Sequence, residues 1–196
     1  MTRRQPAQVS DRALDQLHYI RQTMEGATAF TAVPGWGGVA IGVSALAAAL
    51  VASSHPIGRT WTRIWVGEAV VAAAVGVAAM WSKARRLGLS RQALPARRFA
   101  LAHVPPLVAG AVLTVPLYRM GRFELLPGLW LLLYGTAVIT GGALSVRVVP
   151  LMGAAFAAAG ILALLAPVTW ANTLMAASFG GLHIIFGLII ARRHGG

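Results

Sequence analysis

An all-α bundle of six transmembrane helices, preceded by an amphipathic helix lying on the membrane surface, is the fold this sequence predicts. Three observations carry the prediction. Only 11% of the residues are charged against 57% hydrophobic. A soluble domain carries roughly 25% charge, so this chain has too few charges to cover a water-facing surface. The apolar residues gather in six runs of about 20 residues, the length a helix needs to cross a hydrocarbon layer of about 30 Å. The basic residues fall almost wholly in the short segments between those runs.

Residues 1–32 are mostly polar and are expected to form a cytoplasmic segment, with the six-span domain covering residues 33–193. Ser10 can cap a helix starting at Asp11, and Leu14, Leu17, Ile20 and Met24 then make one apolar stripe. Such a helix suits the membrane interface or a docking face on the bundle. The spans are placed at about residues 34–54, 61–82, 99–118, 124–142, 148–167 and 170–191. Pro34-Gly35-Trp36 opens the first with a helix-starting proline. The polar residues ahead of it make that run a span rather than a cleaved signal. In the third span Pro105 and Pro106 remove two backbone donors, and a kink or break is expected there.

Charge orients the bundle. Six spans place Arg3, Arg4, Arg12, Arg21, the cluster Lys83, Arg85, Arg86, Arg91, Arg97 and Arg98, then Arg147, Arg192 and Arg193 on one side. The other side receives Arg59, Arg63, Arg119 and Arg122. Positive charge marks the cytoplasmic side, so both ends are expected inside a bacterial cytoplasmic (inner) membrane. The bacterial source is suggested by arginine-rich, lysine-poor and alanine-rich usage. Trp36, Trp61, Trp65, Trp81 and Trp170 fall near the expected interfaces.

Small residues recur at helical spacing: Gly38, Gly42, Ala45 and Ala49; Ala72, Gly76 and Ala79; Gly128, Gly135 and Gly142; Gly153, Ala157 and Gly160; Gly180 or Gly181 and Gly187. Within a bilayer, close backbone approach through such residues holds helices together. Span one opens on Phe30 to Trp36 and span four on Phe123 to Trp130, each with a Pro-Gly pair. Because the two enter from opposite sides, a 3+3 inverted repeat would look like this.

Ionisable residues inside spans are costly and become functional candidates. Glu68, His103 and His183 each share a helix face with small residues, so all three are expected to point into protein. A rise of about 1.5 Å per residue puts Glu68 about 10 Å, Tyr134 about 15 Å, His183 about 20 Å and His103 about 24 Å below the outer boundary. Adjoining helices would make these four a polar ladder for a proton or ion, since an imidazole takes and releases a proton near neutrality. The blander alternative pairs Glu68 with Arg63 or an outer-loop arginine and each histidine with a backbone carbonyl. On the outer face Arg119, Arg122 and Glu124 form either an anion or lipid contact or a simple salt-bridge cluster.

The sequence excludes much. Without cysteine there is no disulfide, thiolate or thiolate metal site. No two histidines or acids within a span stand three or four apart, so no metal site is expected. Phosphate-loop, nucleophile-elbow and zinc-protease motifs are absent, which argues against an enzyme. The net charge of +12 is read as topology and as contact with anionic lipid head groups, not as nucleic-acid binding. His103 and His183 could ligate a haem, but a bundle of small residues leaves little room for a porphyrin. Three functions follow: a transporter- or channel-like protein, working alone or as a homo-oligomer; a non-catalytic accessory subunit binding partner membrane proteins or lipids; and a haem-binding electron carrier.

Overall fold

A computed structural model describes residues 16, 17, 20, 33–86, 88, 94–143 and 145–194. The amphipathic helix expected over Asp11 to Met24 lies outside the described residues, apart from Gln16, Leu17 and Ile20. These three are helical, and Leu17 and Ile20 are exposed.

The described residues form six helices long and apolar enough to cross a membrane, and no strand. They are α1 (Gly35–Ser53), α2 (Arg59–Arg86), α3 (Leu94–Arg119), α4 (Leu126–Gly142), α5 (Val148–Leu165) and α6 (Val168–His194). The chain is a multi-pass membrane protein. Local chemistry sets the boundaries. Pro34 sits just ahead of α1, where its missing N–H costs nothing, and its carbonyl accepts from Gly38. Gly121, at φ +72°, makes the turn between α3 and α4 in a conformation that favours glycine. Helix α5 ends before Ala166-Pro167, because a proline disfavours helical backbone in the residue before it.

Helix α3 is not broken at its proline pair. It runs unbroken from Leu94 to Arg119 through Pro105, Pro106 and Pro116. A proline leaves the carbonyl four residues earlier without its usual donor. For Pro106 that carbonyl belongs to Ala102, and the Thr140 hydroxyl of α4 donates to it at 2.7 Å. The neighbouring helix meets the backbone group that the ring leaves unpaired.

Helix ends collect in two layers. At one, Lys83 of α2 is buried, and its Nζ donates to the carbonyls of Val33, ahead of α1, and His194, at the end of α6, each at 3.0 Å. At the opposite layer the α1–α2, α3–α4 and α5–α6 junctions surround one cleft. The first layer holds Arg85, Arg86, Arg97, Arg98, Arg147, Arg192 and Arg193 and is called the basic face below.

Packing is uneven. Helix α1 lies against α2 and α6, and α4 lies against α5 and α3. Exchanging helices 1, 2 and 3 with 4, 5 and 6 leaves that pattern of neighbours unchanged. The main glycine seams do not follow the exchange: Gly35, Gly38 and Gly42 of α1 face α6, while Gly128, Gly135 and Gly142 of α4 face α5. Helices α2 and α3 are peripheral, with 6% of their apolar stretch buried against 33% to 39% in the other four.

Candidate functional site

Tyr134 is the midpoint of α4, eight residues from either end. Facing it is His183 of α6, 3% exposed. The two meet at 2.6 Å, Oη to Nε2. The packing around them is aromatic. Phe156 of α5 and Phe179 of α6 stand 4.7 Å and 5.2 Å from the Tyr134 ring, centroid to centroid, and Phe156 is 5.1 Å from His183. Phenol and imidazole are thus enclosed by rings that offer no competing hydrogen bond.

The backbone of α6 makes this possible. Residues Ala176–Leu182 form a π-helical segment, and His183 begins the α-helix that follows. The segment reads Ala-Ala-Ser-Phe-Gly-Gly-Leu, without a β-branched residue to stiffen it. A π turn is wider than an α turn and often marks a functional site. Here the Phe179 carbonyl lies 2.9 Å from His183 Nδ1.

That contact fixes the protons. A carbonyl can only accept, so Nδ1 carries the hydrogen. In the neutral imidazole Nε2 is then the acceptor, and the Tyr134 hydroxyl donates to it. A proton arriving on Nε2 would reverse the bond, because the phenol oxygen would have to accept and its own hydrogen turn elsewhere. The pair therefore has two hydrogen-bonded states that differ by one proton and one rotation of the phenol O–H.

His103 of α3 stands beside the pair. Its ring meets Tyr134 edge-on at 6.5 Å and stacks on Phe99 at 5.2 Å. Its Nδ1 donates to the Ala137 carbonyl at 2.9 Å. Tyr134 lies between the two histidines, and both ring nitrogens of His183 are engaged. Among the described residues no three His, Asp or Glu side chains gather as metal ligands.

Toward the face opposite the basic one the aromatic packing continues. Trp65 is 6.2 Å from Phe179 and 6.0 Å from Trp61, which stacks on Trp130 at 6.1 Å. Sequence reasoning set Trp61 and Trp65 near the level of a membrane interface. The structure buries both, at 0% and 3% exposure. The reason is Asn172 of α6. Its side-chain oxygen accepts from both indoles at 3.0 Å and 3.3 Å, and its Nδ2 donates to the Ala49 carbonyl at 3.0 Å. Trp36, Trp81 and Trp170 remain exposed, as interfacial residues would. Above Asn172 opens a cleft of about 630 Å³, bordered by His55, Phe123, Glu124 and Thr169.

The four residues expected as a ladder divide. Tyr134 and His183 touch, His103 flanks them, and Glu68 lies elsewhere. Its Oε1 is 2.8 Å from the Ser44 hydroxyl of α1, and it pairs with Ser44 rather than with Arg63. On the cleft side, Arg122 Nε donates to Glu124 Oε1 at 2.7 Å, both side chains exposed, and Arg119 is not in that pair. This is the salt bridge weighed against an anion site, and it meets the Arg122 charge. Asn172, Thr140, Ser44 and the two phenylalanines were not singled out from sequence. Asn172 had a signal, as the only asparagine in the chain, set at the start of an apolar run.

Compared with known proteins, the chain matches no family model, no curated protein and no solved structure.

Proposed function

We propose that the chain is a small proton-linked transport protein of a bacterial inner membrane, with both ends cytoplasmic and the basic face toward anionic lipid head groups. The observation that carries this reading is the 2.6 Å bond between Tyr134 and His183 at the centre of the bundle. A phenol–imidazole pair with two proton states, in a π-distorted helix, is a poor choice for mere packing. An apolar pair of the same volume would leave no polar atoms to satisfy.

The cleft supports the reading from one side. It opens at the face away from the basic one, and its floor, Asn172, bonds Trp61 and Trp65, of which Trp65 packs on Phe179. A solute entering there stands above the ring stack that encloses the pair. Protonation of His183 would turn the Tyr134 hydroxyl and disturb that stack. The orientation follows from the excess of arginine on the basic face.

The test is proton movement in proteoliposomes loaded with a pH-sensitive dye. Wild-type protein is expected to carry protons when a gradient is imposed. Tyr134→Phe keeps the ring and removes the exchangeable hydrogen, and is expected to lower the rate by about tenfold or more, the lower end of what a positioned acid–base group supplies. Flux equal to that of empty liposomes, or a Tyr134→Phe variant as fast as wild type, would overturn the reading.

A further inference from the structure

Glu68 stands apart from the core and uses a different chemistry. It lies at the margin of the contact between α2 and α1, half-buried beside Ser44. Ser44 Oγ is 2.8 Å from Glu68 Oε1 and 2.9 Å from the Ile41 carbonyl oxygen. A serine hydroxyl has one hydrogen, so two arrangements are open. In one, Ser44 donates to the carboxylate. In the other, Ser44 donates to the Ile41 carbonyl and accepts a hydrogen from the carboxyl group itself. Only the second makes a hydrogen bond of both short distances, and it needs a proton on Glu68.

The surroundings favour a site that holds and releases that proton. Ser44 is the midpoint of α1, nine residues from either end. A bare carboxylate at such depth costs about 3 kcal/mol. No compensating charge is at hand. Helix α1 has no ionisable side chain from Gly35 to Ser53. On α2 the nearest is Arg63, exposed, toward the helix start and not paired with Glu68. Lys83, near the other end of α2, donates to the Val33 and His194 carbonyls. Tyr134 and His183 bond each other. Among the described residues no ion pair includes Glu68.

The site is open to lipid. Val43, Val66, Val70 and Val71, on the helix faces bordering it, are exposed. Beside it a Cβ on Gly67 would meet nothing within 4 Å. We infer that Glu68 and Ser44 form a second proton-binding site, reached from the lipid through the groove between α1 and α2 and separate from the Tyr134–His183 core. Its ligand is the proton. The carboxylate oxygen takes it up, and the Ser44 hydroxyl then turns its own hydrogen to Ile41.

A hydrophobic carbodiimide, dicyclohexylcarbodiimide, reads such a site in the full chain in liposomes. The carboxyl proton passes to a reagent nitrogen, the carboxylate oxygen adds to the central carbon, and the adduct rearranges to a stable N-acylurea. Peptide mass spectrometry locates it. Glu68 is expected to be labelled, with a rate that falls about tenfold per pH unit once the carboxyl titrates. Ser44→Ala is expected to shift that profile along the pH axis, and Ser44→Thr, which keeps the hydroxyl, to restore it. An unlabelled Glu68, labelling indifferent to pH, or equally fast labelling by a charged, water-soluble carbodiimide would each overturn the inference. Labelling reads Glu68 alone, so its failure would leave the transport reading of Tyr134 and His183 standing, and the reverse.

Discussion

Two glycine seams hold this bundle together, and they differ in what they meet. Between α4 and α5 the contact is backbone on backbone at Gly135, Gly153 and Gly160, and side chains enter at the ends of the seam, Leu164 against Gly128 and Val149 against Gly142. A Cβ on Gly135 would stand 2.5 Å from the Ala157 nitrogen and 2.7 Å from the Gly153 carbonyl, and one on Gly153 would stand 2.6 Å from the Ile139 nitrogen. Between α1 and α6 the seam is of that kind only near the basic face, where a Cβ on Gly187 would stand 2.8 Å from the Gly35 carbonyl and the Val39 nitrogen. Farther along it loosens. Gly42 meets the Ile184 side chain as well as the Gly180 carbonyl, and Gly180 meets the end of Leu46. The loosening begins where α6 becomes π-helical. Rigid backbone contact serves as scaffold in one seam. In the other it gives way to movable side chains beside the two-state pair.

The strongest way to break the comparison is to fill each seam. Gly135→Ala is expected to cost about 3 kcal/mol, because a Cβ there strikes backbone that cannot retreat. Gly180→Ala should cost about 1 kcal/mol, since what it strikes is the end of the flexible Leu46 side chain. Thermal unfolding in detergent, followed by tryptophan fluorescence, ranks the two. An equal loss would mean that the π segment gives the α1–α6 seam no added freedom.

Next comes the pair itself. His183→Leu leaves the Tyr134 hydroxyl and the Phe179 carbonyl without their partner, a loss of about 2 kcal/mol. Tyr134→Phe strands one acceptor and should cost about 1 kcal/mol. The double variant should fall short of the sum by about 1 kcal/mol if the two act as a unit. Strict additivity would mean that the 2.6 Å bond carries no coupling.

A smaller effect separates α3 from the seams. Thr140→Val deprives the Ala102 carbonyl of its donor and is expected to cost about 1 kcal/mol. Restoring the helical donor with Pro106→Ala should reduce that cost to near zero. An unchanged cost in the Pro106→Ala background would show that Thr140 serves some other contact. The smallest effect is expected at Gly67, where a Cβ meets nothing. Gly67→Ala should change stability by no more than about 0.5 kcal/mol.

Tyr134 shows how far the sequence reached toward the site. It was set beside His183 only by its position along its span, while the inward face of His183 was legible from periodicity. That His183 would spend both nitrogens, on a phenol and on a carbonyl in its own helix, was not. The π segment decides it, and no residue pattern in 176–182 announces a π turn. Glu68 was placed on the right face and given the wrong neighbours, because the face points at α1 and α1 holds Ser44 there.

The sequence by itself determined the number of spans, their approximate boundaries, the separation of basic from less basic ends, and the buried faces of α1, α4, α5 and α6. These follow from one-dimensional facts: the length of apolar runs, the placement of charge, and the 3.6-residue period of small side chains. Tertiary structure alone decided which face meets which. Only there do Gly35, Gly38 and Gly42 of α1 find α6 while Gly37 finds Ala79 of α2, Thr140 meet the carbonyl that Pro106 leaves unpaired, and Glu68 stand outside the core. A helical period fixes the direction in which a side chain points. What waits at the end of it depends on the packing of every other helix.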